Sequence, residues 1–370
     1  MKIVFIAPRY HTNQHEIVKK LLAEGWDVEF HVALVGPTED HSLLTPKLYE
    51  QCPLSKLLIR ILGEGGVNRP RAFPSPRRYY KDLKNSRPDY IVLRSPNRWF
   101  SILGAFCARL LGIKIIYYTQ TALHKAYSPS RRIAVRLLLM LFDAAWFTPL
   151  KGEPDRYPYH PKWMYFVPFA VPIWQKTPRI SNGVPKILMV GKMQPRKNHI
   201  LLIHALAQVK RKISFSLTMV GECVTDEQNL QKDEVSKAIE KLGLSDCVNL
   251  VLNVPFRDMQ HIYDEHDLFV LPSRNEEGGI SVLEAYANGL PAICSSTCGT
   301  RFYIQDGING FVFRCGDVDD LVEKLLHLIG DSLDLQAMKK TSLELGRASV
   351  SAKNFYGEFQ GMLEHRWPNA

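Results

Sequence analysis

Three cationic side chains follow a short apolar segment in the second half of the chain. Lys186–Val190 is followed by Gly191, and Lys192, Arg196 and Lys197 come directly after it. The apolar run predicts a buried strand that a glycine turn joins to a helix. Cations beside a helix N-terminus, where backbone N–H groups are unpaired, favour a bound diphosphate. A solvated basic loop would have the same composition, and the spacing of an ATP-binding P-loop is absent.

A second segment places two carboxylates near the end of another predicted strand. Leu268–Leu271 is apolar, and Glu276 lies in the loop that follows it. Glu284 comes further on, about one turn into a predicted helix. Carboxylates accept hydrogen bonds from vicinal hydroxyls, which ribose and hexoses carry. The same two residues could instead be a helix-capping carboxylate and a solvated one.

The loop between these carboxylates ends in two glycines. Gly278 and Gly279 precede Ile280, where the helix is predicted to begin. Backbone N–H groups at a helix start bind phosphate, so these three residues are predicted to contact an anionic ligand.

Apolar segments alternate with helical patterns along the whole chain, which predicts two doubly wound α/β halves. Because ligands of such sheets bind at the carboxyl ends of strands, a cleft between the halves is the expected active site. The predicted strands are Lys2–Ala7, Val28–Val32, Tyr90–Leu93, Lys114–Tyr118, Ala144–Phe147, Lys186–Val190, Ser214–Val220, Val248–Leu252, Leu268–Leu271, Ala292–Ser295 and Gly310–Phe313. Helices are predicted near 13–25, 54–62, 99–111, 130–141, 198–209, 227–243, 257–263, 280–288 and 318–329, with 40–85 otherwise irregular.

Composition and turn signals predict the domain boundaries. We expect a domain over 1–165, a proline-containing linker over 166–182, a second domain over 183–345 and a C-terminal helix over 346–370 that returns to the first domain. Asn13 is predicted to cap the first helix, with Glu16 at the capping-box spacing.

Charge is distributed unevenly along the chain. The formal net charge of +10 suggests an anionic partner. Residues 1–180 hold 27 Lys and Arg against 13 Asp and Glu, a net charge of +14, whereas residues 181–370 hold 20 against 24, a net charge of −4. We therefore expect different partners for the two halves. The basic aromatic run 77–81 is compatible with nucleic acid, but a solvated face or a contact with an anionic surface is the simpler interpretation.

No metal site and no membrane span are predicted. The seven cysteines contain no CxxC pair, which argues against zinc and indicates reduced thiols in a cytoplasmic protein. Asp317 and Asp319 form a DxD triplet, but an amphipathic helix follows them, so helix capping is the better interpretation. The most apolar stretch, 133–147, contains Arg136 and Asp143 and is too short to span a bilayer.

Taken together, the two segments resemble the GT-B glycosyltransferases, specifically family 4 of retaining, nucleotide-sugar-dependent enzymes. The resemblance is specific over 185–330 and looser over 1–165. It rests on a glycine and cation loop after the first strand of the second half and on two Glu residues separated by seven others. The matching segments, in the family's order, are Gly191–Asn198, Val220–Glu222, His266–Ser273, Glu276–Glu284, Glu284–Pro291 and Asp306–Gly310.

The resemblance implies a GT-B fold, in which two Rossmann-like domains face a central cleft, and it implies roles for individual residues. Lys192 and Lys197 would hold the donor diphosphate, within a loop that also contains Gly191 and Arg196. Glu276 would contact the transferred sugar and Glu284 the ribose.

Other residues would complete the two substrate sites. The loop at Asn253–Phe256, including Val254, would flank the nucleobase. Asn13 and Gln120 stand in the first domain, which the resemblance implies binds the acceptor, and we expect both to contact substrate.

The sequence departs from the family pattern at several positions. Glu277 replaces the glycine usual after the first Glu, and Lys192 stands where Arg is common. The usual Gly-Gly loop of the first domain is replaced by His11–Gln14, and Thr119–Thr121 occupies the place of a usual His.

These observations predict a retaining hexosyltransferase that uses a nucleotide-diphosphate sugar and needs neither cofactor nor metal. The expected acceptor is a polysaccharide or lipid-linked saccharide of cell-envelope, capsule or O-antigen synthesis. The expected location is the cytoplasm, with peripheral contact on the inner face of an anionic membrane, and no nucleic acid partner is expected. The alternatives are a DNA-modifying glucosyltransferase of GT-B fold, a non-catalytic nucleotide-sugar binder and a nucleotide-sugar 2-epimerase.

Overall fold

Two parallel sheets organise the computed structural model of the chain, which describes residues 1–10, 12–35, 40–63, 70–158, 161–174, 177, 180 and 183–368. The chain divides into a first unit of Met1–Ala170 with Ala352–Ala370 and a second unit of Val171–Ser351. His11 and part of the predicted linker 166–182 lie outside the described residues.

The first unit is built on a seven-stranded sheet of order β3-β2-β1-β4-β5-β6-β7. Its strands are β1 (Lys2–Ala7), β2 (Asp27–Val32), β3 (Lys47–Leu48), β4 (Tyr90–Arg94), β5 (Lys114–Tyr118), β6 (Ala145–Thr148) and β7 (Met164–Phe166), and all neighbours pair in parallel. The intervening helices are α1 (His15–Ala23), α2 (Pro53–Leu62), α3 (Pro76–Ser86), α4 (Trp99–Leu111) and α5 (Pro129–Leu141). Apolar clusters cover both faces of the sheet, as a parallel sheet requires.

The second unit is built on a six-stranded parallel sheet of order β10-β9-β8-β11-β12-β13. Its strands are β8 (Lys186–Val190), β9 (Ser216–Gly221), β10 (Val248–Leu252), β11 (Leu268–Leu271), β12 (Ala292–Ser295) and β13 (Gly310–Phe313). Its helices are α6 (His199–Val209), α7 (Asp226–Lys241), α8 (Met259–Asp264), α9 (Ile280–Ala287), α10 (Val318–Gly330) and α11 (Ser332–Val350). This strand order is that of a doubly wound dinucleotide-binding sheet, so the predicted α/β fold class is confirmed in both units.

The last helix, α12 (Ala352–Arg366), belongs to the first unit. Phe355, Phe359 and Trp367 are buried in the same cluster as the strands β1 and β4. Aromatic rings join this helix to the strands, since Phe359 lies 5.9 Å from Phe147 between ring centroids. Hydrophobic burial thus explains why the chain returns to its first unit after completing the second.

Two local predictions in the first unit were wrong. Asn13 does not cap α1, because a short 3-10 turn at Thr12–Gln14 precedes the helix, whose N-cap is Gln14 without a side-chain hydrogen bond. The stretch 40–85 is not irregular outside 54–62, because α3 begins at Pro76. Proline is tolerated at the first helical position, where its missing N–H has no intrahelical acceptor.

The basic aromatic run 77–81 lies on α3, and its residues have different environments. Tyr79 is fully buried and its hydroxyl lies 3.0 Å from Nδ1 of His31, while Arg77 and Arg78 are exposed. One member of the run is therefore a core residue of the first unit.

The DxD triplet is a helix cap, as predicted. Asp317 precedes α10, and its Oδ1 accepts a hydrogen bond of 3.0 Å from the backbone N–H of Asp320. Among the described residues, no helix is long and apolar enough to cross a membrane.

Candidate functional site

The loops that follow β8 and β11 meet at the centre of the second sheet. These neighbouring strands are the point at which the strand order reverses, which is where doubly wound sheets bind ligands. Two hydrogen bonds tie the loops together. The N–H of Arg274 donates to the carbonyl of Arg196 over 2.7 Å, and the Asn198 side chain donates to the carbonyl of Pro272 over 3.2 Å.

Glu276 forms the centre of an ion-pair cluster where these two loops meet. Its Oε2 accepts from Lys197 Nζ at 2.6 Å, and Nη1 of Arg196 donates to the same oxygen. The side chains of Lys197 and Glu276 are 9% and 8% exposed, whereas that of Arg196 is 47% exposed. Glu276 is far from Arg196 and Lys197 in the sequence, and the fold brings both cations to its buried carboxylate.

Backbone conformation positions the buried lysine. A Cβ at Gly191 would lie 3.2 Å from Cδ of Lys197, so a larger residue there would press on the aliphatic part of the lysine. Asn198 adopts a left-handed conformation with φ of 58°, which ends the short turn at Pro195–Lys197 and starts α6. The carbonyl of Glu276 also accepts from the N–H of Gly299 over 2.7 Å, which fixes the acidic partner from the other side.

Electrostatic effects on the lysine oppose one another. Burial lowers the pKa of the Lys197 ammonium below its ordinary value, while attraction by the Glu276 carboxylate and their hydrogen bond raise it. A buried ion that loses its only partner costs several kcal/mol, so the pair is stable only as a unit or with another anion in place of the carboxylate. The cluster is therefore suited to exchange one anionic partner for another.

Lys192 pairs with a different carboxylate. Its Nζ lies 2.7 Å from Oε1 of Glu222, and both side chains are partly exposed. The N–H of Met193 donates to the carbonyl of Glu222, and that of Gly191 to Val220, so the loops after β8 and β9 are also joined. The structure thus brings Arg196 and Lys197 to Glu276 and holds Lys192 beside the neighbouring strand.

Tyr263 and Trp174 support Glu284, and sequence reasoning missed both. Oε2 of Glu284 accepts a hydrogen bond of 2.8 Å from the Tyr263 hydroxyl. Burial raises the pKa of Glu284, and that hydrogen bond opposes the rise. The Tyr263 ring is stacked on Trp174 with centroids 5.6 Å apart. The only sequence signal was a tyrosine on the helix that leads into β11.

Asn288 connects the end of α9, the helix that carries Glu284, to the start of the second unit. Its side-chain oxygen accepts from the N–H of Trp174 over 2.6 Å, and its amide donates to the carbonyls of Pro172 and Glu284. Asn288 is fully buried, so these bonds fix the helix end firmly.

Gly279, the second of the two glycines before α9, allows close packing. A Cβ at Gly279 would lie 2.8 Å from Sγ of Cys298 and 3.0 Å from Oγ1 of Thr300. The N–H of Ile280 donates to the carbonyl of Gly278 over 2.8 Å, so this donor is engaged within its own turn. The Ile280 N–H, which was predicted to contact an anionic ligand, is therefore already hydrogen-bonded.

Glu277 differs from its neighbour in burial. Its side chain is exposed, whereas Glu276 is only 7% exposed as a residue. The additional carboxylate that distinguishes this chain from the family pattern is therefore outside the buried cluster.

The remaining predicted residues lie at the carboxyl edges of the two sheets. Val254 follows β10, where the Asn253 side chain bonds both the N–H and the carbonyl of Cys223 and so joins two loops of the second unit. Asn13 follows β1 in the first unit, and Gln120 follows β5, with its amide 3.5 Å from the Tyr118 hydroxyl.

Residues 171–344 match the model of a protein family described as glycosyl transferases group 1. The matched segment coincides closely with the second unit and contains the whole ion-pair cluster. The predicted membership of that group is thus supported for this part of the chain.

Among curated proteins, the chain is similar to enzymes that transfer sugars to lipid-linked saccharides. It is 27% identical over 291 residues, 70% of this chain and 71% of the relative, to a UDP-Gal:alpha-D-GlcNAc-diphosphoundecaprenol alpha-1,3-galactosyltransferase of Escherichia coli. It is 27% identical over 175 residues to a GDP-Man:Man(3)GlcNAc(2)-PP-Dol alpha-1,2-mannosyltransferase of Homo sapiens. That match spans 45% of this chain and only 35% of the human protein.

Among solved structures, the whole chain is similar in fold to the following two proteins. A glycosyltransferase from Rickettsia africae ESF-5 superposes with a TM-score of 0.76 at 16% identity, over 100% of this chain and 99% of that one. Alr3699/HepE of Anabaena, solved in complex with UDP and glucose, gives a TM-score of 0.74 at 15% identity, over 99% and 100%. At this level of identity the likeness concerns the fold, which agrees with the two Rossmann-like units described above.

His199 provides a pH-dependent test of the electrostatics of this site. It begins α6, is 1% exposed, and its Nδ1 has no hydrogen-bond partner among the described residues. Burial, and then the nearby Lys197 charge, lower its pKa to about 4. Because the unfolded chain binds this proton near pH 6.5, the neutral ring contributes about 3 kcal/mol above that pH, which is lost as the pH falls to about 4.

We therefore expect His199→Gln to weaken the acid sensitivity of the second unit. The free energy of unfolding in urea should fall between neutral pH and about pH 4 by roughly 3 kcal/mol less in the variant than in the wild type. His204→Gln, on an exposed position of the same helix, is the control and should keep the wild-type pH dependence. Identical pH profiles for wild type and His199→Gln would contradict the assignment.

Proposed function

Because the second unit matches the model of the glycosyl transferases group 1, we propose that the protein is a retaining glycosyltransferase of family 4. It moves a hexose from a nucleotide-diphosphate sugar to a lipid-linked saccharide or growing polysaccharide of the cell envelope. The observation that carries this proposal is the buried pair of Lys197 and Glu276 at the point where the second sheet's strand order reverses.

The donor binds at the carboxyl edge of the second sheet. Its diphosphate contacts Lys197 and Arg196, which exchange part of their interaction with Glu276 for the phosphate oxygens. Arginine suits this role because its planar fork can hold two oxygens at once. Glu284, held by Tyr263, accepts hydrogen bonds from the ribose hydroxyls, and Val254 lines the base.

The departure of the nucleoside diphosphate is the step that these cations assist. Negative charge grows on the leaving phosphate as its bond to the anomeric carbon breaks, and Lys197 stabilises it from a fixed position. When phosphate oxygens replace Glu276 as the partner of Lys197, the Glu276 carboxylate contacts the transferred sugar and helps to orient it. Because Lys192, Arg196 and Lys197 supply positive charge, the proposed reaction needs no divalent metal.

Lipid-linked acceptors are supported by the two relatives named above and by the charge of the first unit. Counted over the two structural units, the net charge is +12 in the first and −2 in the second. A basic surface attracts anionic membranes, in which a lipid-linked acceptor resides. We propose that the first unit binds the acceptor and contacts the cytoplasmic face of such a membrane.

Two neighbouring helices of the first unit supply an apolar surface for that contact. On α4 and α5, large apolar side chains project to solvent at helical spacing: Ile102, Phe106, Leu110, Ile133, Leu137, Met140 and Leu141. Nε of Arg109 on α4 donates to the carbonyl of Leu141, and the rings of Phe106 and Phe142 lie 5.4 Å apart, so the two rows are adjacent. Three exposed arginines on α5, at 131, 132 and 136, flank this surface. An amphipathic, basic face of this kind favours the interfacial region of an anionic bilayer.

Substitutions at the ion-pair cluster test the catalytic proposal. A thermal-shift panel of UDP-, GDP-, ADP- and dTDP-sugars first identifies the donor. With that donor, Lys197→Ala and Glu276→Gln should each lower the rate of transfer by about 10²- to 10³-fold, because a fixed charge is removed from the reacting centre.

The exposed neighbour of the buried carboxylate is the matched control for this test. Glu277→Gln should change the rate by less than about threefold, since its side chain lies outside the buried cluster. Circular dichroism verifies that each variant is folded. Wild-type turnover in folded Lys197→Ala or Glu276→Gln would show that the site is assigned wrongly.

Flotation with liposomes tests the membrane contact. We expect the protein to float with vesicles of anionic phospholipid at low salt and to be released at high salt. Leu137→Glu should weaken this binding by about tenfold, because it places a charge in the apolar surface. Leu230→Glu, at a similarly exposed leucine of α7 in the second unit, should bind like the wild type. Salt-insensitive flotation, or equal losses in both variants, would refute the proposal.

A further inference from the structure

Three arginines gather at the carboxyl edge of the first sheet. Arg9 follows β1, Arg94 is the last residue of β4, and Arg98 immediately precedes α4. The strands β1 and β4 are neighbours whose register pairs Ile6 with Leu93, so the chain leaves the sheet at adjacent points after both strands. This is the position at which the strand order of the first sheet reverses, where doubly wound sheets bind ligands.

The backbone around Arg94 is rigidly held. Arg94 pairs in register with Tyr118, and its guanidinium lies 5.7 Å from the centre of that ring. The carbonyl of Arg94 accepts a hydrogen bond of 3.0 Å from the Ser101 hydroxyl, and the N–H of Ser95 donates to the carbonyl of Tyr118. The backbone that carries the Arg94 side chain is therefore fixed at the carboxyl edge of the sheet.

One nitrogen of this guanidinium is buried without a partner. Nη1 of Arg94 is shielded from solvent and makes no hydrogen bond to any described residue. Burial, together with the positive charges of Arg98 and Arg9, lowers the pKa of Arg94. A buried N–H donor and a cluster of like charges each cost free energy, and a bound anion relieves both costs.

Side-chain amides lie at the same edge. Gln14, in the turn after β1, is 2% exposed and its Oε1 has no hydrogen-bond partner among the described residues. The amide of Gln120, after β5, lies within 3.5 Å of the Tyr118 hydroxyl. The unpaired Gln14 oxygen is an acceptor, so it suits a hydroxyl of the ligand rather than the anion itself.

We infer that Arg9, Arg94 and Arg98 form an anion site that binds the diphosphate of the acceptor. The inference rests on the proposed function, in which the first unit receives a saccharide carried on a lipid. Guanidinium groups bind phosphate oxygens in pairs, and a diphosphate carries enough oxygens and charge to engage more than one of them. The other source of the same chemistry is the diphosphate of the nucleotide sugar.

Calorimetric titration with inorganic pyrophosphate tests the site directly. The wild type should bind pyrophosphate at two sites, one in each unit. Arg94→Gln should weaken one of them by roughly 10- to 100-fold, the effect of removing a charged hydrogen-bond donor, while Lys197→Ala should weaken the other. Arg77→Gln, an exposed arginine on α3 of the same unit, is the matched control and should retain both sites.

A second titration distinguishes the two sources of the diphosphate. The nucleoside diphosphate of the identified donor should bind to Arg94→Gln as tightly as to the wild type, because the arginine site belongs to the acceptor. An equal loss of affinity for the nucleoside diphosphate would assign the cluster to the donor and overturn the inference. Retention of both pyrophosphate sites in Arg94→Gln, or the absence of pyrophosphate binding to the wild type, would overturn it as well.

Two further controls distinguish a failure of the anion site from a loss of folding and from a failure of the proposed function. If Arg94→Gln does not fold, Arg98→Gln replaces it, since Arg98 lies outside the strand and should show the same loss at one site. The titration does not depend on sugar transfer. A wild type that binds pyrophosphate through Arg94 but no nucleotide sugar would refute the proposed function and leave the anion site established.

Discussion

The buried ion pair between Lys197 and Glu276 is the interaction on which the second unit's site depends. Neither charge could remain buried alone, because an unpaired ion in this environment costs several kcal/mol. The local structure follows from this need. Gly191 leaves room for the aliphatic part of Lys197, and Asn198 ends the turn after it in a left-handed conformation. The N–H of Gly299 holds the backbone carbonyl of Glu276.

Both sheets place cations at the point where their strand order reverses, but the two sets differ in their partners. In the second unit, Arg196 and Lys197 contact Glu276, so a ligand phosphate must compete with a carboxylate. In the first unit, Nη1 of Arg94 is buried and makes no hydrogen bond to any described residue, so an anion would supply a partner for that nitrogen. The two units would thus bind anions in two ways. In the second unit the anion replaces a carboxylate, and in the first unit it pairs with a buried donor.

The sequence predicted those parts of the structure that local patterns determine. Apolar runs such as Lys186–Val190 gave strand bounds that the structure reproduces, because a strand buried on both faces has few polar residues. The pairing of Lys197 with Glu276 and the support of Glu284 by Tyr263 join residues distant in the sequence, so no local pattern contains them. The helix that starts at Pro76 was missed since proline usually marks a loop, yet its first-turn position is compatible with a helix.

The central claim is that the Lys197 and Glu276 cluster binds the diphosphate of the donor. The most direct measurement compares, by calorimetry, the affinities of the nucleoside diphosphate and the matching nucleoside monophosphate for the wild type and for Lys197→Ala. The account predicts that the wild type prefers the diphosphate by about tenfold or more and that this preference is largely lost in Lys197→Ala. An undiminished preference in the folded variant would contradict it.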